Sequence, residues 1–241
     1  MFDIKYFDEV TSTSDIIKDF AKDGAPEWTV AVANSQTKGR GRMGRSFFSP
    51  CGTGLYMSIL LRPKISADKS LLITTSAAVA AALAIEKHSG KKTHIKWVND
   101  VYINEKKVCG ILTEGQISIG GSLEYAVVGI GINLEKPKDG FGELCNIADA
   151  VFDGCTYDKK TFIKDLLDTF SRYYEMLESK PHFDEYINRD MLIGKEVDVI
   201  KAGEKLYSAT VRTIDKNFAL IIEHDGVTEP LTSGEVSVKI K

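Results

Sequence analysis

Lys38-Gly39-Arg40-Gly41-Arg42-Met43-Gly44-Arg45 is the segment of this 241-residue chain that is most informative about its fold class. Its glycines have the G-x-G-x-x-G spacing of dinucleotide-binding folds, which place a strand before the glycines and a helix directly after them. An apolar run at residues 29–33 suits the strand, but Ser-Phe-Phe-Ser-Pro and two further glycines follow Arg45 and do not suit a helix. The pattern therefore favours an irregular cationic loop over a doubly wound nucleotide-binding fold.

The same loop concentrates positive charge. Four cations and three glycines share its eight residues, and no Asp or Glu occurs from Trp28 to Ala67. Glycine lets a backbone approach a ligand closely, and arginine holds phosphate or carboxylate oxygens in a fork of donors. We predict a loop that closes over a polyanion; the alternative is a solvated basic turn.

Composition limits the classes of function. Acidic residues outnumber basic ones, 34 to 31, so any anion site is local rather than a property of the whole surface. The four cysteines, Cys51, Cys109, Cys145 and Cys155, form no C-x-x-C pair, which argues against structural zinc and suits a reducing cytoplasm. The N-terminus lacks a signal-peptide pattern, and the longest apolar run, residues 77–85, is too short to span a membrane. We therefore expect a cytoplasmic protein without membrane contact.

Short strands and a few helices account for most of the chain. Strands are predicted at residues 2–7, 29–33, 55–60, 93–97, 101–103, 107–113 and 123–128, and helices at residues 15–22, 70–88 and 161–177. The short connections favour antiparallel pairing. Five further strand-like runs, at residues 196–200, 206–214, 219–223, 227–231 and 235–240, predict a small C-terminal barrel. We predict an α+β fold with a catalytic domain at residues 1–190 and a small domain at residues 191–241.

Two lysine-containing motifs flank tight turns. In the strand before Asn99-Asp100, Ile95 and Trp97 share one face, which directs Lys96 away from the core. The alternative for this motif is a hairpin turn with an exposed lysine. In the next motif, Lys106 and Lys107 point to opposite faces of a strand, so one of them can face a site; the sequence does not choose between them.

Glycines recur inside two of the strands. Gly110 weakens its strand unless something occupies the space above it. Gly129 and Gly131 leave one face of their strand bare, which suits a flat or extended ligand, although a β-bulge is the alternative. Asn133 at the strand end offers a donor and an acceptor. Together with the cationic loop, this pocket suits activation of a carboxylate by a nucleoside triphosphate, in which fixed cations stabilise charge on the phosphoryl oxygens.

The ordered motifs resemble those of biotin protein ligases. The matching segments are Gln36-x-x-Gly-Arg-Gly-Arg-x-Gly-Arg45, Lys96-Trp-Val-Asn-Asp100, Lys107-x-x-Gly-Ile-Leu-x-Glu114, Gly129-x-Gly-x-Asn133 and Leu231-Thr-Ser-Gly-Glu-Val236. The resemblance implies a mixed, mainly antiparallel sheet related to class II aminoacyl-tRNA synthetases, plus a C-terminal SH3-like barrel. It also implies a two-step reaction: biotin and MgATP form biotinyl-5′-AMP, and a lysine of a biotin carboxyl carrier protein then takes the biotinyl group.

The resemblance also assigns residues to roles. The expected catalytic residues are Lys107, Arg40 and Asp100. The expected biotin-binding residues are Ser12, Thr13, Ser14, Gln36, Gly39, Arg40, Gly41, Arg42, Lys107, Gly110, Gly129 and Gly131. The expected ATP or adenylate contacts are Arg42, Arg45, Lys96, Asn99 and Asn133, and Mg²⁺ is expected to arrive with ATP rather than on protein side chains.

This chain departs from the family pattern at two positions. Val98 stands where proline is common, and Ser14 stands where asparagine is common; one residue of the Ser12–Ser14 segment is expected to cap a helix instead of binding biotin.

The catalytic motifs begin within the first forty residues, so we expect no DNA-binding domain and no operator binding. The family often forms homodimers.

Three rival functions follow from the same residues. A lipoate ligase-like enzyme would adenylate a longer acid, a nucleic-acid-binding module would use the basic loop on phosphates, and a biotin sensor would bind biotin without consuming ATP. A nucleic-acid-binding module would lose affinity steeply with added salt.

Overall fold

The computed structural model describes residues 1–154, 156–201, 203–232 and 236–241. They form a large sheet of seven strands and a smaller C-terminal sheet of five. The strands of the large sheet are β1 (Asp3–Val10), β2 (Thr29–Gln36), β3 (Gly54–Leu61), β4 (His94–Lys96), β5 (Asp100–Ile103), β6 (Lys106–Ile117) and β7 (Leu123–Asn133). Their spatial order is β1-β2-β3-β7-β6-β5-β4.

Pairing in the large sheet is mostly antiparallel. Strands β1 and β2 pair in parallel because helix α1 (Thr13–Lys22) crosses between them, and the neighbouring pairs from β2 onward run antiparallel. Residues 58 and 129 face each other across β3 and β7, and residues 110 and 131 face each other across β6 and β7. This register brings the glycines of two strands side by side.

Helix α2 (Ser70–Ser89) forms the centre of the protein. Its alanine-rich sequence presents small apolar side chains on most of its faces, and thirteen of its residues are buried. It ends at Gly90, whose left-handed conformation suits a residue without a side chain. The segment Ala67–Ser89 is long and apolar enough to cross a membrane, which corrects the estimate from the apolar run alone; 72% of its most apolar window is buried inside the fold, as in a core helix.

The C-terminal sheet consists of β8 (Glu196–Lys201), β9 (Glu204–Ile214), β10 (Leu220–His224), β11 (Val227–Leu231) and β12 (Val236–Ile240). Its strand order is β11-β10-β9-β8-β12, with antiparallel pairs. One cluster of buried apolar side chains includes residues from both sheets. The predicted α+β organisation is thus confirmed, whereas the boundary between residues 190 and 191 stays a prediction.

Some predicted elements differ from the structure at their ends. Strands β6 and β7 extend to Ile117 and Asn133 and form one long hairpin, and the third helix, α3, covers Lys159–Glu175. The short helix α4 (Phe183–Arg189) was not predicted, because Tyr186 is its one buried residue and seven residues show little periodicity. The predicted turn residues 202, 233 and 234, Cys155, and residues 233–235 of the C-terminal motif lie outside the described residues.

His182, at the start of α4, is an uncharged histidine in the core. It is fully buried, and its Nε2 lies 2.9 Å from Oγ1 of Thr75 in α2. Burial, with a smaller contribution from the charge of Lys180, lowers the pKa of His182 from 6.5 to about 4. Below pH 6.5 the unfolded chain therefore takes up a proton that the folded chain does not.

We expect stability to fall as the pH is lowered from 6.5 to 4, by about 3 kcal/mol from this residue alone. The measurement is urea unfolding at several pH values for the wild type and for His182→Gln, which cannot titrate. The variant should lose less stability over this interval, and parallel pH profiles for the two proteins would show that His182 does not titrate as described.

Candidate active site

The glycine-arginine loop folds back on itself as a narrow hairpin. Arg40 and Ser46 form an antiparallel bridge, and the Gly41 N–H donates to the Arg45 carbonyl at 2.7 Å. A Cβ on Gly39 would lie 2.4 Å from the Phe47 carbonyl oxygen, closer than real Cβ atoms approach. Glycine at position 39 is therefore required by close packing, and the hairpin directs the following residues onto the large sheet.

Gly110, Gly129 and Gly131 form a glycine strip on one face of the large sheet, and Phe47 lies on this strip. A Cβ on Gly131 would lie 2.6 Å from the Phe47 ring, and one on Gly110 would lie 3.4 Å from it. The strip is therefore bare of its own side chains, as predicted, but it is covered by the aromatic ring of Phe47, which was not predicted from the sequence. The available signal was the position of Phe47 directly after the cationic loop, inside the acid-free segment.

Hydroxyl and amide groups gather at the Gly129 end of the strip. The oxygen Oγ of Ser58 lies 2.8 Å from Oγ1 of Thr13 and 3.1 Å from Oγ of Ser14. The Oε1 atom of Gln36 accepts from the Thr13 N–H at 2.9 Å. Ser58 was also missed; its signal was a single small polar residue in the otherwise apolar strand β3, paired with Gly129.

The capping question of the Ser12–Ser14 segment is settled by geometry. Ser12 has an extended backbone, and its side chain accepts from the Ser14 N–H at the start of α1, so Ser12 is the N-cap. Thr13 and Ser14 project toward the strip. Ser49 supports the same group of side chains because its Oγ accepts from Nε2 of Gln36 at 2.9 Å.

A salt bridge between Lys107 and Asp100 marks the other end of the strip. Lys107 Nζ lies 2.8 Å from Asp100 Oδ1, and the carbon that a side chain on Gly110 would add lies 3.2 Å from Lys107 Nζ. Lys106 points elsewhere, and its Nζ donates to the Cys145 carbonyl at 3.0 Å. The structure thus resolves the choice between the two lysines: Lys107 faces the strip.

Asn99 connects the turn after β4 to the cationic loop. Its Oδ1 accepts from Nη1 of Arg42 at 3.0 Å, and its Nδ2 donates to the Ile111 carbonyl at 2.7 Å. Burial lowers the pKa of Arg42, an effect opposed by the nearby charge of Asp100. The turn therefore holds Arg42 and Lys107 through two neighbouring residues, Asn99 and Asp100.

Lys96, Lys107, Arg42 and Arg45 form a cation cluster beside Asp100. Burial is the main cause of the lowered pKa of Lys96; Asp100 opposes the shift, and the charges of Lys107, Arg45 and Lys239 add to it. Lys239 belongs to β12 of the C-terminal sheet and was not predicted, because a lysine in a terminal strand carries no distinguishing pattern. Ile95 and Trp97 face the core, as predicted: their exposed fractions are 0% and 4%.

Arg40 and Asn133 make contacts away from this cation cluster. Arg40 forms salt bridges with Asp15 of α1 and with Glu114 of β6. Nδ2 of Asn133 donates to the Asp149 carbonyl at 3.1 Å, and the Asp149 N–H donates to the Lys107 carbonyl at 3.0 Å. Asn133 thus holds the segment that lines the start of β6. Across the described ranges, no three His, Cys, Asp or Glu side chains are arranged to hold a metal ion.

The contact between Phe47 and Gly131 can be tested by a double-mutant cycle. Gly131→Ala should destabilise the protein by about 1–3 kcal/mol, because the added methyl group displaces the Phe47 ring. The same substitution in a Phe47→Ala background should cost clearly less, measured by urea unfolding. Phe48→Ala is the matched control: Phe48 is 46% exposed, and its effect should add to that of Gly131→Ala. Additive effects for Phe47 as well would contradict the packing described.

The sequence of this chain is similar to those of known protein families. Residues 6–133 match the biotin/lipoate A/B protein ligase family, and residues 192–239 match the biotin protein ligase C-terminal domain. The chain is 41% identical over 172 residues to the bifunctional ligase/repressor BirA of Bacillus spizizenii, across 70% of this chain and 53% of that protein. It thus spans about half the length of this curated relative.

Two further relatives cover the chain more fully. The biotin–[acetyl-CoA-carboxylase] ligase of Paracoccus denitrificans is 28% identical over 222 residues, across 85% of this chain and 88% of that protein. The solved structure of a biotin protein ligase from Aquifex aeolicus in complex with biotin and ATP is similar with a TM-score of 0.86 and 27% identity, over 100% of both chains. Both sheets therefore have counterparts in that structure.

Proposed function

The chain belongs to the biotin/lipoate A/B protein ligase family, and from that premise we propose that it joins biotin to a lysine of a carrier protein with consumption of ATP. One observation carries the proposal: the glycine strip runs between a hydroxyl and amide group at one end and a cation cluster at the other. This order matches an acid that has a hydrogen-bonding head, an apolar body and a carboxylate. The match of residues 192–239 to the biotin protein ligase C-terminal domain favours biotin over lipoate.

Each part of biotin has a matching group in this arrangement. Thr13, Ser14 and Gln36 offer donors and acceptors to the ureido ring. The Phe47 ring, which packs on Gly131, offers apolar surface to the fused rings and chain. We propose that Gly39 and Gly41 shape the loop that covers the acid. The absence of side chains at Gly110 and Gly129 leaves space for the acid beside the Phe47 ring.

The first step forms biotinyl-5′-AMP. A carboxylate oxygen of biotin attacks the α-phosphorus of ATP, a new phosphorus–oxygen bond forms, and the bond to the leaving pyrophosphate breaks. Lys107 holds the carboxylate and the α-phosphoryl oxygens, and Asp100 fixes the position of Lys107. Arg42, Arg45 and Lys96 contact the phosphates, where preorganised cations stabilise the charge that develops. Mg²⁺ arrives with ATP, and Asn99 and Asn133 shape the nucleotide site.

The second step transfers the biotinyl group. The amine of an acceptor lysine attacks the acyl carbon of the mixed anhydride, an amide bond forms, and AMP leaves. Arg40 retains the adenylate under the loop until the acceptor arrives. The acceptor we propose is the biotin carboxyl carrier domain of a biotin-dependent carboxylase, in the cytoplasm, with the enzyme as a homodimer.

Biotin-dependent exchange of labelled pyrophosphate into ATP tests the first step, with lipoate as the control acid. Exchange with biotin alone is the expected result. Exchange with lipoate alone would replace the substrate, and no exchange with either acid from folded protein would overturn the proposed activity.

Lys107→Ala should reduce the rate of pyrophosphate exchange by at least about a hundredfold, because it removes a cation from the reacting carboxylate. Lys106→Ala is the matched control, since Lys106 is adjacent in sequence and donates to the Cys145 carbonyl instead. Urea unfolding of both variants should differ little from wild type. Equal rates for the two alanine variants would show that Lys107 has no special role.

Arg40→Ala should let biotinyl-AMP escape. The measurements are the release rate of preformed adenylate and the labelling of lysines on a bystander protein, both of which should increase. Lys38→Ala, which removes an exposed cation from the same loop, should leave both unchanged. Wild-type retention by the Arg40 variant would mean that this arginine does not hold the intermediate.

A further inference from the structure

Phe218 occupies a turn position that would ordinarily favour glycine or asparagine. It lies in the turn between β9 and β10, has a φ of 61°, and is fully buried. The left-handed conformation is unfavourable for a residue with a Cβ, because the Cβ then lies too close to the following carbonyl oxygen. Asp215 closes the turn, because its Oδ1 accepts from the N–H groups of Asn217 and Ala219, both at 2.8 Å. A bulky residue in this conformation indicates that contacts outside the turn stabilise it.

The Phe218 ring inserts among aromatic side chains at the start of α4 and within it. It stacks on His182 with ring centroids 4.9 Å apart and planes 4° from parallel. Tyr186 and Phe183 meet it edge-on at 5.2 and 5.3 Å. Because His182 is uncharged at neutral pH, this stack is an ordinary aromatic contact that joins the C-terminal sheet to α4.

The Phe218 backbone binds the motif that carries Asn99 and Asp100. Nε1 of Trp97 donates to the Phe218 carbonyl at 2.8 Å, and the Tyr186 hydroxyl donates to the Val98 carbonyl at 3.1 Å. Both hydrogen bonds are buried, where a donor or acceptor left without its partner is strongly destabilising. The next two residues contact Arg42 and Lys107. Phe218 is thus connected to the cation cluster through four successive residues of the backbone.

We propose that Phe218 is a positioning residue for adenylate formation: the turn of the C-terminal sheet sets the orientation of residues 97–100, and thereby of Arg42 and Lys107. The inference rests on the proposed function. The C-terminal sheet then takes part in the first chemical step, because it anchors residues 97–100. Small displacements of charged groups are sufficient for a large effect, because catalysis by positioned cations depends steeply on geometry.

Two variants and one control test this role. Phe218→Leu keeps an apolar side chain in the aromatic cluster but removes the stacking, and Trp97→Phe removes the donor to the Phe218 carbonyl while keeping an aromatic ring. Ile222→Ala removes a fully buried side chain from β10 of the same sheet, outside the turn. Each protein is assayed at a temperature where urea titration shows it to be folded.

The readouts are kcat for pyrophosphate exchange at saturating biotin and ATP, and hydrogen exchange of the Ile111 amide, which donates to the Asn99 carbonyl at 2.9 Å. Phe218→Leu and Trp97→Phe should each lower kcat by about tenfold and speed exchange of this amide. The double variant should lose little more than either single variant, because both act through one contact. Ile222→Ala should leave both readouts near wild type.

Wild-type kcat and amide protection in folded Phe218→Leu would overturn the inference, as would an equal effect of Ile222→Ala. If the wild-type protein shows no biotin-dependent exchange, the proposed function fails instead. The amide measurement then still decides whether Phe218 positions the turn.

Discussion

The close contact between the Phe47 ring and the backbone of Gly131 determines how the site is assembled. A side chain at position 131 would overlap the Phe47 ring, and the facing residue in β6, Gly110, also lacks a side chain. The ring therefore lies against the sheet and brings the glycine-arginine loop with it. The loop can follow because Gly39 lets its backbone pass within contact distance of Phe47.

Charge is distributed unevenly around this contact. The chain as a whole is slightly acidic, yet Arg42, Arg45, Lys96 and Lys107 lie together at one end of the strip. Burial lowers the pKa of Lys96, and Asp100 counteracts part of that cost. One carboxylate among several cations leaves a net positive site, which suits a substrate with a carboxylate and phosphates.

The two sheets form a single structure around this site. Residues of both sheets contribute to one apolar core, and Lys239 of β12 adds its charge to the cation cluster around Lys96. Phe218 inserts into the aromatic cluster beside α4, and its carbonyl binds Trp97. The C-terminal sheet therefore contacts the motif that presents Asn99 and Asp100.

Sequence patterns were sufficient to predict the local elements and the chemical character of the site. Periodicity located most strands and the central helix, the acid-free segment located the cationic loop, and ordered motifs indicated the family. These features depend on residues that are close together in the sequence, so a sequence pattern is sufficient to predict them. The packed fold was needed to show which lysine faces the strip and that Ser12 caps α1. It was also needed to show that Phe47 and Ser58 lie in the site and that Phe218 binds Trp97. These outcomes depend on strand register and on side-chain packing across the sheets, because residues far apart in sequence meet there without any repeating pattern.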